Sequence, residues 1–84
     1  MSTEINKEEY FVRTADQLEK GEKNRIQGFT SEGLSSKFLE LGILPENPIA
    51  LVRYGPGRNT MYLKVNGHYY AIRKEEAAQI ILKF

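Results

Sequence analysis

The sequence contains no cysteine. That absence excludes disulfides and thiolate metal sites as supports for the fold, and it accords with a reducing compartment such as the cytoplasm. Long apolar runs are also missing: the longest is a few residues, against the roughly 20 that a membrane-spanning helix requires. The N-terminal stretch MSTEINKEEYFVR has neither the basic region nor the apolar stretch of a signal peptide. No surplus of one charge exists. Lys+Arg number 12 and Asp+Glu 11, a formal net charge of +1 at pH 7. The two signs are interspersed, without the basic stripe usual in nucleic-acid binders.

At 84 residues the chain is one domain or part of one. A domain this small buries only roughly 60–65% of its unfolded surface. Without cross-links or thiolate metals, a closed β-barrel or a partner remains as the means of stabilising it.

The pattern along the chain is that of a β-domain with one inserted helix. Residues 1–12 are polar and charged apart from Tyr10, Phe11 and Val12. They read as a mobile tail, the alternative being a strap over the domain. Thr14 or Asp16 caps a short helical turn through Leu18, and Lys20-Gly21-Glu22 reads as a turn. Residues 23–29 read as a strand centred on Ile26, where Gly28 permits a bend or a close approach.

Thr30-Ser31-Glu32 opens a helix over about 31–41. Leu34, Phe38 and Leu41 fall at i, i+4 and i+7, one buried stripe. Gly42 stands where a left-handed residue ends a helix, and Pro45 lies just beyond. Ile43 and Leu44 are expected to fold back onto the helix's apolar face. Strands follow at 49–54, 61–65 and 68–73, with the turn Gly55-Pro56-Gly57-Arg58-Asn59 after the first. Asn66-Gly67 between two strand-like runs is a type I′ hairpin signal. Its register sets Val65 against His68, Leu63 against Tyr70 and Met61 against Ile72. One face then carries Met61, Leu63, Val65, Tyr70 and Ile72, and the other Thr60, Tyr62, Lys64, Tyr69, Ala71 and Arg73. Residues 74–78 make a helical turn and 79–84 a last strand. The expected fold is mainly β: a small SH3-like barrel of about five strands, with the helix over one open end.

An ordered set of short motifs resembles the FeoA family. These are Leu18 to Glu22, Ile26 to Phe29, Phe38 to Pro45, and Tyr70 to Ala77, read as L-x-x-G-E, I-x-G-F, a helix ending L-E-L-G-I-x-P, and x-A-I-R-K-x-E-A. The chain is similar also to the SH3-like C-terminal domain of iron-dependent repressors. The resemblance covers about residues 14–84, with the domain itself taken as 13–84. It implies an accessory protein of bacterial ferrous iron uptake, with no enzymatic activity and no cofactor. The implied partner is FeoB, a membrane ferrous iron transporter with a GTP-hydrolysing domain, met at the cytoplasmic face without membrane insertion. Three departures stand out. Pro45-Glu46 replaces the family's usual Pro-Gly. The stretch between Phe29 and Gly42 is a few residues short. Residues 1–12 have no counterpart in compact members.

No catalytic constellation is visible. His68 is the single histidine, at the end of a hairpin turn, with no second ligand nearby, so no metal site is assigned. Gly55-Pro56-Gly57-Arg58 lacks the strand-to-helix context and the Lys-Ser/Thr of a phosphate loop. Two surface patches are the binding candidates. The first is Glu32, Ser35 and Leu39: Leu39 lies about 130° from the buried stripe, either in a groove or as an exposed apolar contact. The second is Tyr54, Arg58 and Tyr62, residue types enriched in binding hot spots. The alternative function is an SH3-like module bound to nucleic acid or a regulator, for which Tyr62, Lys64, Tyr69 and Arg73 share an outer face. Small barrels with open edges also exchange elements, so an oligomer is compatible.

Overall fold

The computed structural model describes residues 12–30 and 32–83, with the side chains of 32–34 left aside. The tail assigned to residues 1–12 falls outside it up to position 11, as do Ser31 and the side chain of Leu34.

A single 3₁₀ turn at Ala15–Gln17 comes first, its N-terminus marked by Thr14. The Thr14 N–H donates to Gln17 Oε1 over 3.1 Å, so the first turn is closed by a side chain. Strand β1 is Asn24–Phe29, helix α1 Glu32–Leu41, β2 Pro48–Tyr54, β3 Thr60–Val65 and β4 His68–Arg73. Helix α2, Lys74–Ala77, then leads into β5, Ile80–Leu82. A second 3₁₀ turn, Pro56–Arg58, joins β2 to β3.

All pairings in the five-stranded sheet are antiparallel, in the order β4-β3-β2-β1-β5. The hairpin register is the one that Asn66-Gly67 demands: Val65 faces His68, Leu63 faces Tyr70, and Met61 faces Ile72. Gly28 lies at a bulge in β1 between Ile26 and Gly28. A Cβ there would meet nothing within 4 Å, so the glycine serves a bend and not a close approach.

Inward residues of all five strands form one cluster: Ile26, Ile49, Leu51, Met61, Leu63, Val65, Ile72, Ile80 and Leu82 are buried together. A sheet whose two ends feed one core is curled on itself. Ladder hydrogen bonds do not join its ends, however. β4 and β5 stand at opposite ends of the strand order, and α2 connects them. Helix α1 lies beside this seam. Phe38 stacks on Phe29 of β1 with ring centroids 5.2 Å apart, and Lys37 Nζ reaches Glu76 of α2 at 2.7 Å.

The end of α1 follows from Gly42. With φ of +88° it is left-handed, its N–H donates to Leu39 O at 3.1 Å, and Ile43 N–H donates to Phe38 O at 2.9 Å. That is a Schellman closure, and its usual apolar contact is supplied by Ile43 and Phe38, both fully buried. Two expectations are corrected here. Leu41 belongs to the expected buried stripe, yet it is 46% exposed. Leu44, expected to fold back with Ile43, is 42% exposed. Helix α1 packs across the rim of the sheet, so only a narrow stripe of it is covered. The Schellman turn returns one residue to the core, and the chain then runs outward to Pro45.

The corner after the helix is stitched to β1. Glu46 N–H donates to Ile26 O at 2.7 Å, and Ile26 N–H donates to Asn47 O at 3.0 Å. Glu46 itself has φ of +76°, the left-handed region that glycine occupies at least cost.

Candidate docking surface

Strand β2 builds the candidate surface. Ile49 and Leu51 point inward, so simple alternation would send Arg53 into the core as well. A bulge between Leu51 and Arg53 prevents this. Beyond it Arg53 pairs with Tyr62 and Tyr54 pairs with the buried Met61. Arg53 therefore turns outward, and Tyr54 turns inward to pack against the core at the end of the strand.

Two arginine–tyrosine stacks result. The guanidinium carbon of Arg58 sits 4.0 Å from the centre of the Tyr54 ring, and that of Arg53 sits 4.2 Å from the centre of Tyr62. Lys74 Nζ approaches the Tyr54 ring at 5.9 Å. A cation over a tyrosine face contributes roughly 0.5–1 kcal/mol at an exposed site and holds the side chain in a defined place. The turn between the strands is equally constrained. Gly55 is buried, and a Cβ on it would come within 3.3 Å of Tyr62 Cε2 and Thr60 Cβ. Gly57 and Arg58 are both left-handed, with φ of +73° and +62°.

The loop before β1 forms the neighbouring wall. Lys20 bridges to Leu51 in parallel, which brings Leu18, Glu19 and Lys20 against Arg53, Tyr54 and Arg58. Glu22 organises this loop. Its carboxylate accepts from Arg13 Nη2 at 3.0 Å, Asn24 Nδ2 at 3.1 Å and the Glu19 N–H at 3.2 Å. The Arg13 hydrogen bond is the main reason that the Glu22 carboxyl is held down to about 2, with burial opposing it. Glu76 is also lowered, chiefly by its hydrogen bond from Lys37.

The six residues singled out from sequence fall into two groups. Tyr54 and Arg58 are brought into contact. Tyr62 is near, across Gly55, but it is Arg53 that covers it and not the Arg58 turn. Ser35 and Leu39 lie on α1, which packs on β1; Ser35 is half-buried and Leu39 is 47% exposed. Of the two alternatives for Leu39, the exposed contact is the one observed. The Glu32 side chain lies outside the described residues. Sequence reasoning missed Arg53, Lys20 and Lys74. An arginine due on the core face was the available signal for Arg53, since burying it unpaired costs more than a bulge. Lys20 and Lys74 reach the surface through long-range contacts that leave no local trace.

His68 is exposed at the start of β4, and the described residues contain no group of three or more His, Asp or Glu able to hold a metal ion. Among the described residues no helix is long and apolar enough to cross a membrane.

A model of the FeoA domain matches residues 13–83. The chain belongs to the FeoA family. No curated protein matches it. Among solved structures, the FeoA-like protein of Clostridium acetobutylicum superposes with a TM-score of 0.77 at 22% identity, over 86% of this chain and 85% of that one. The FeoA of Stenotrophomonas maltophilia, solved with zinc and described as an SH3 domain protein, gives 0.73 at 17% identity, over 84% and 89%. A manganese-dependent transcriptional repressor gives 0.76 at 9% identity, over 87% of this chain but 41% of its own. At such identities the likeness is one of fold. It bears out the SH3-like architecture and the similarity to part of a metal-dependent repressor.

Proposed function

We propose that this FeoA-family protein is an accessory component of bacterial ferrous iron uptake. It docks on the cytoplasmic side of a FeoB-type transporter and modulates that partner's assembly or GTP cycle. Family membership supports the transport role, and the S. maltophilia relative is itself described as a candidate ferrous iron transport activating factor. The observation that carries a docking role is the pair of arginine–tyrosine stacks. Tyr and Arg are the residue types that dominate binding energy, and here their side chains are already ordered before any partner arrives. The exposed Leu39 on α1 offers a second, apolar contact. The protein works at the inner face of the membrane, bound to the transporter. Its influence on the GTP cycle comes from binding one nucleotide state more tightly than another.

The test is a titration of the ¹⁵N-labelled chain with the cytoplasmic domain of its own transporter, with and without a GTP analogue. Shifts at Arg53, Tyr54, Arg58 and Tyr62, or at Ser35 and Leu39, are expected, with an affinity that depends on the nucleotide. Absence of shifts at several hundred micromolar, about the weakest affinity worth calling docking, would remove this domain as the partner.

A further inference from the structure

Charge is unevenly spent in this molecule. No ion pair among the described residues uses a residue of the β2–β3 corner: the pairs are Arg13 with Glu22, Lys37 with Glu76, and Lys83 with Glu46. Lys20, Arg53 and Arg58 are exposed, form none of these pairs, and line one groove of about 600 Å³. Its floor is Leu18 and Leu51, both buried, and Tyr54 forms part of its wall. Lys74 adds a fourth cation beside the same tyrosine. One acid, Glu19, lines the groove, while Glu22 in the same loop is engaged by Arg13, Asn24 and the Glu19 N–H.

Three or four cations without an acid partner among the described residues, set around an apolar floor, call for an anionic occupant that also carries apolar groups. A nucleic acid fits poorly. The tyrosine faces that would stack bases are taken by Arg53 and Arg58. Side-chain carboxylates suit better, because a guanidinium held in place can meet a carboxylate with two parallel N–H···O bonds. Arg58 is held in this way by its stack on Tyr54, and its own left-handed backbone, with φ of +62°, is the kind of local strain that gathers at ligand clamps.

We infer that the groove between Lys20, Arg53 and Arg58 receives an acidic segment of a partner protein, with two or more carboxylates flanking an apolar side chain that rests on Leu18 and Leu51. This rests on the accessory reading above and specifies the chemistry that the partner presents. Association is driven by charge at a distance, so it weakens as salt rises.

The ¹⁵N-labelled full chain is titrated with the peptide acetyl-Glu-Leu-Glu-Leu-Glu-amide, with its all-Gln counterpart, and with an oligothymidylate. The acidic peptide should shift Lys20, Arg53, Tyr54 and Arg58, and the Gln peptide should bind at least about tenfold more weakly. The double variant Arg53→Gln with Arg58→Gln, checked by its amide dispersion for an intact fold, should lose about tenfold in affinity for the acidic peptide. A single Lys20→Gln variant serves if the double one does not fold. Equal binding of the two peptides, undiminished binding by the variant, no shifts up to about 1 mM, or tighter binding of the oligothymidylate through the same residues would each overturn the inference. The transporter domain is titrated separately. If it binds wild type and variant alike, the groove assignment falls and the accessory reading stands. If it does not bind while the acidic peptide does, the reverse holds.

Discussion

The phenol of Tyr70, on β4, donates to the main-chain carbonyl of Leu41 at the end of α1 over 2.7 Å. Last-turn carbonyls have no partner within a helix, so this bond satisfies one of them and pins α1 to an edge strand. Tyr70→Phe removes the hydroxyl and little else. It should cost about 0.5–1.5 kcal/mol. For a domain of this size that lowers Tm by roughly 4–8 °C per kcal/mol. Thermal unfolding followed by circular dichroism checks it; an unchanged Tm would mean that water replaces the phenol without loss.

Glu46 and Gly42 share a left-handed backbone, and only one of them is suited to it. Gly42→Ala should destabilise by about 1 kcal/mol. The cost is conformational, since the added Cβ would lie 3.6 Å from Tyr70 Oη, an ordinary contact. Glu46→Gly should do the opposite, raising stability by up to about 1 kcal/mol. The Lys83 ion pair that it removes is exposed and worth little. Urea midpoints of the two variants should move in opposite directions.

Acid should loosen the loop that walls the groove. Glu22 titrates at about 2 in the folded protein, below its ordinary 4.5. A depressed folded-state value means that its stabilisation is whole above about 4.5 and fades as pH falls toward 2. Glu76, also lowered, adds in the same direction. Glu22→Gln should therefore be less stable than wild type at pH 7, and the gap should close in acid. Urea unfolding of both proteins from neutral pH down to about 2.5 decides it; a gap that persists in acid would show that the carboxylate charge is not what holds Arg13.

Leu39 and Phe38 are neighbours in sequence with opposite duties. Phe38 is buried against Phe29, and Phe38→Ala should cost about 3–5 kcal/mol. That is enough to unfold much of so small a domain. Leu39→Ser should change stability by less than about 0.5 kcal/mol. If α1 is a contact surface, the same change should weaken docking on the transporter domain. Calorimetric titration beside a melting curve separates the two effects, and full affinity in the Leu39 variant would confine docking to the β2–β3 corner.

Much of this fold was legible because its strongest signals are local. Asn66-Gly67 admits one tight hairpin, and the alternation on either side agrees with it, so β3 and β4 fall into register residue by residue. Gly42 announces a Schellman closure by its backbone alone. The β2 bulge was not legible from alternation, since Ile49 to Tyr54 reads equally well as an unbroken strand. It exists because Arg53 cannot be buried, and that relocates both arginine–tyrosine stacks. Leu41 and Leu44 misled for a related reason. Helical spacing shows which residues share a face, but the width of face that is covered depends on where the helix lies on the sheet. The groove was invisible because Lys20, Arg53 and Arg58 meet through the Lys20–Leu51 bridge, which has no local signature.

The sheet order places β1 between β2 and β5, with Ile26 opposite Leu82. Among the described strands, the first to leave a ribosome thus waits for the last. Until β5 emerges, β1 lacks one of its two neighbours, and the core lacks Ile80 and Leu82. Pairings across so long a stretch of chain form slowly, and an unpaired edge is where nascent chains cling to one another. Closure of this domain therefore waits on β5, and a chain that stops before Ile80 leaves β1 with one bare edge and an open core, which chaperones and proteases meet first.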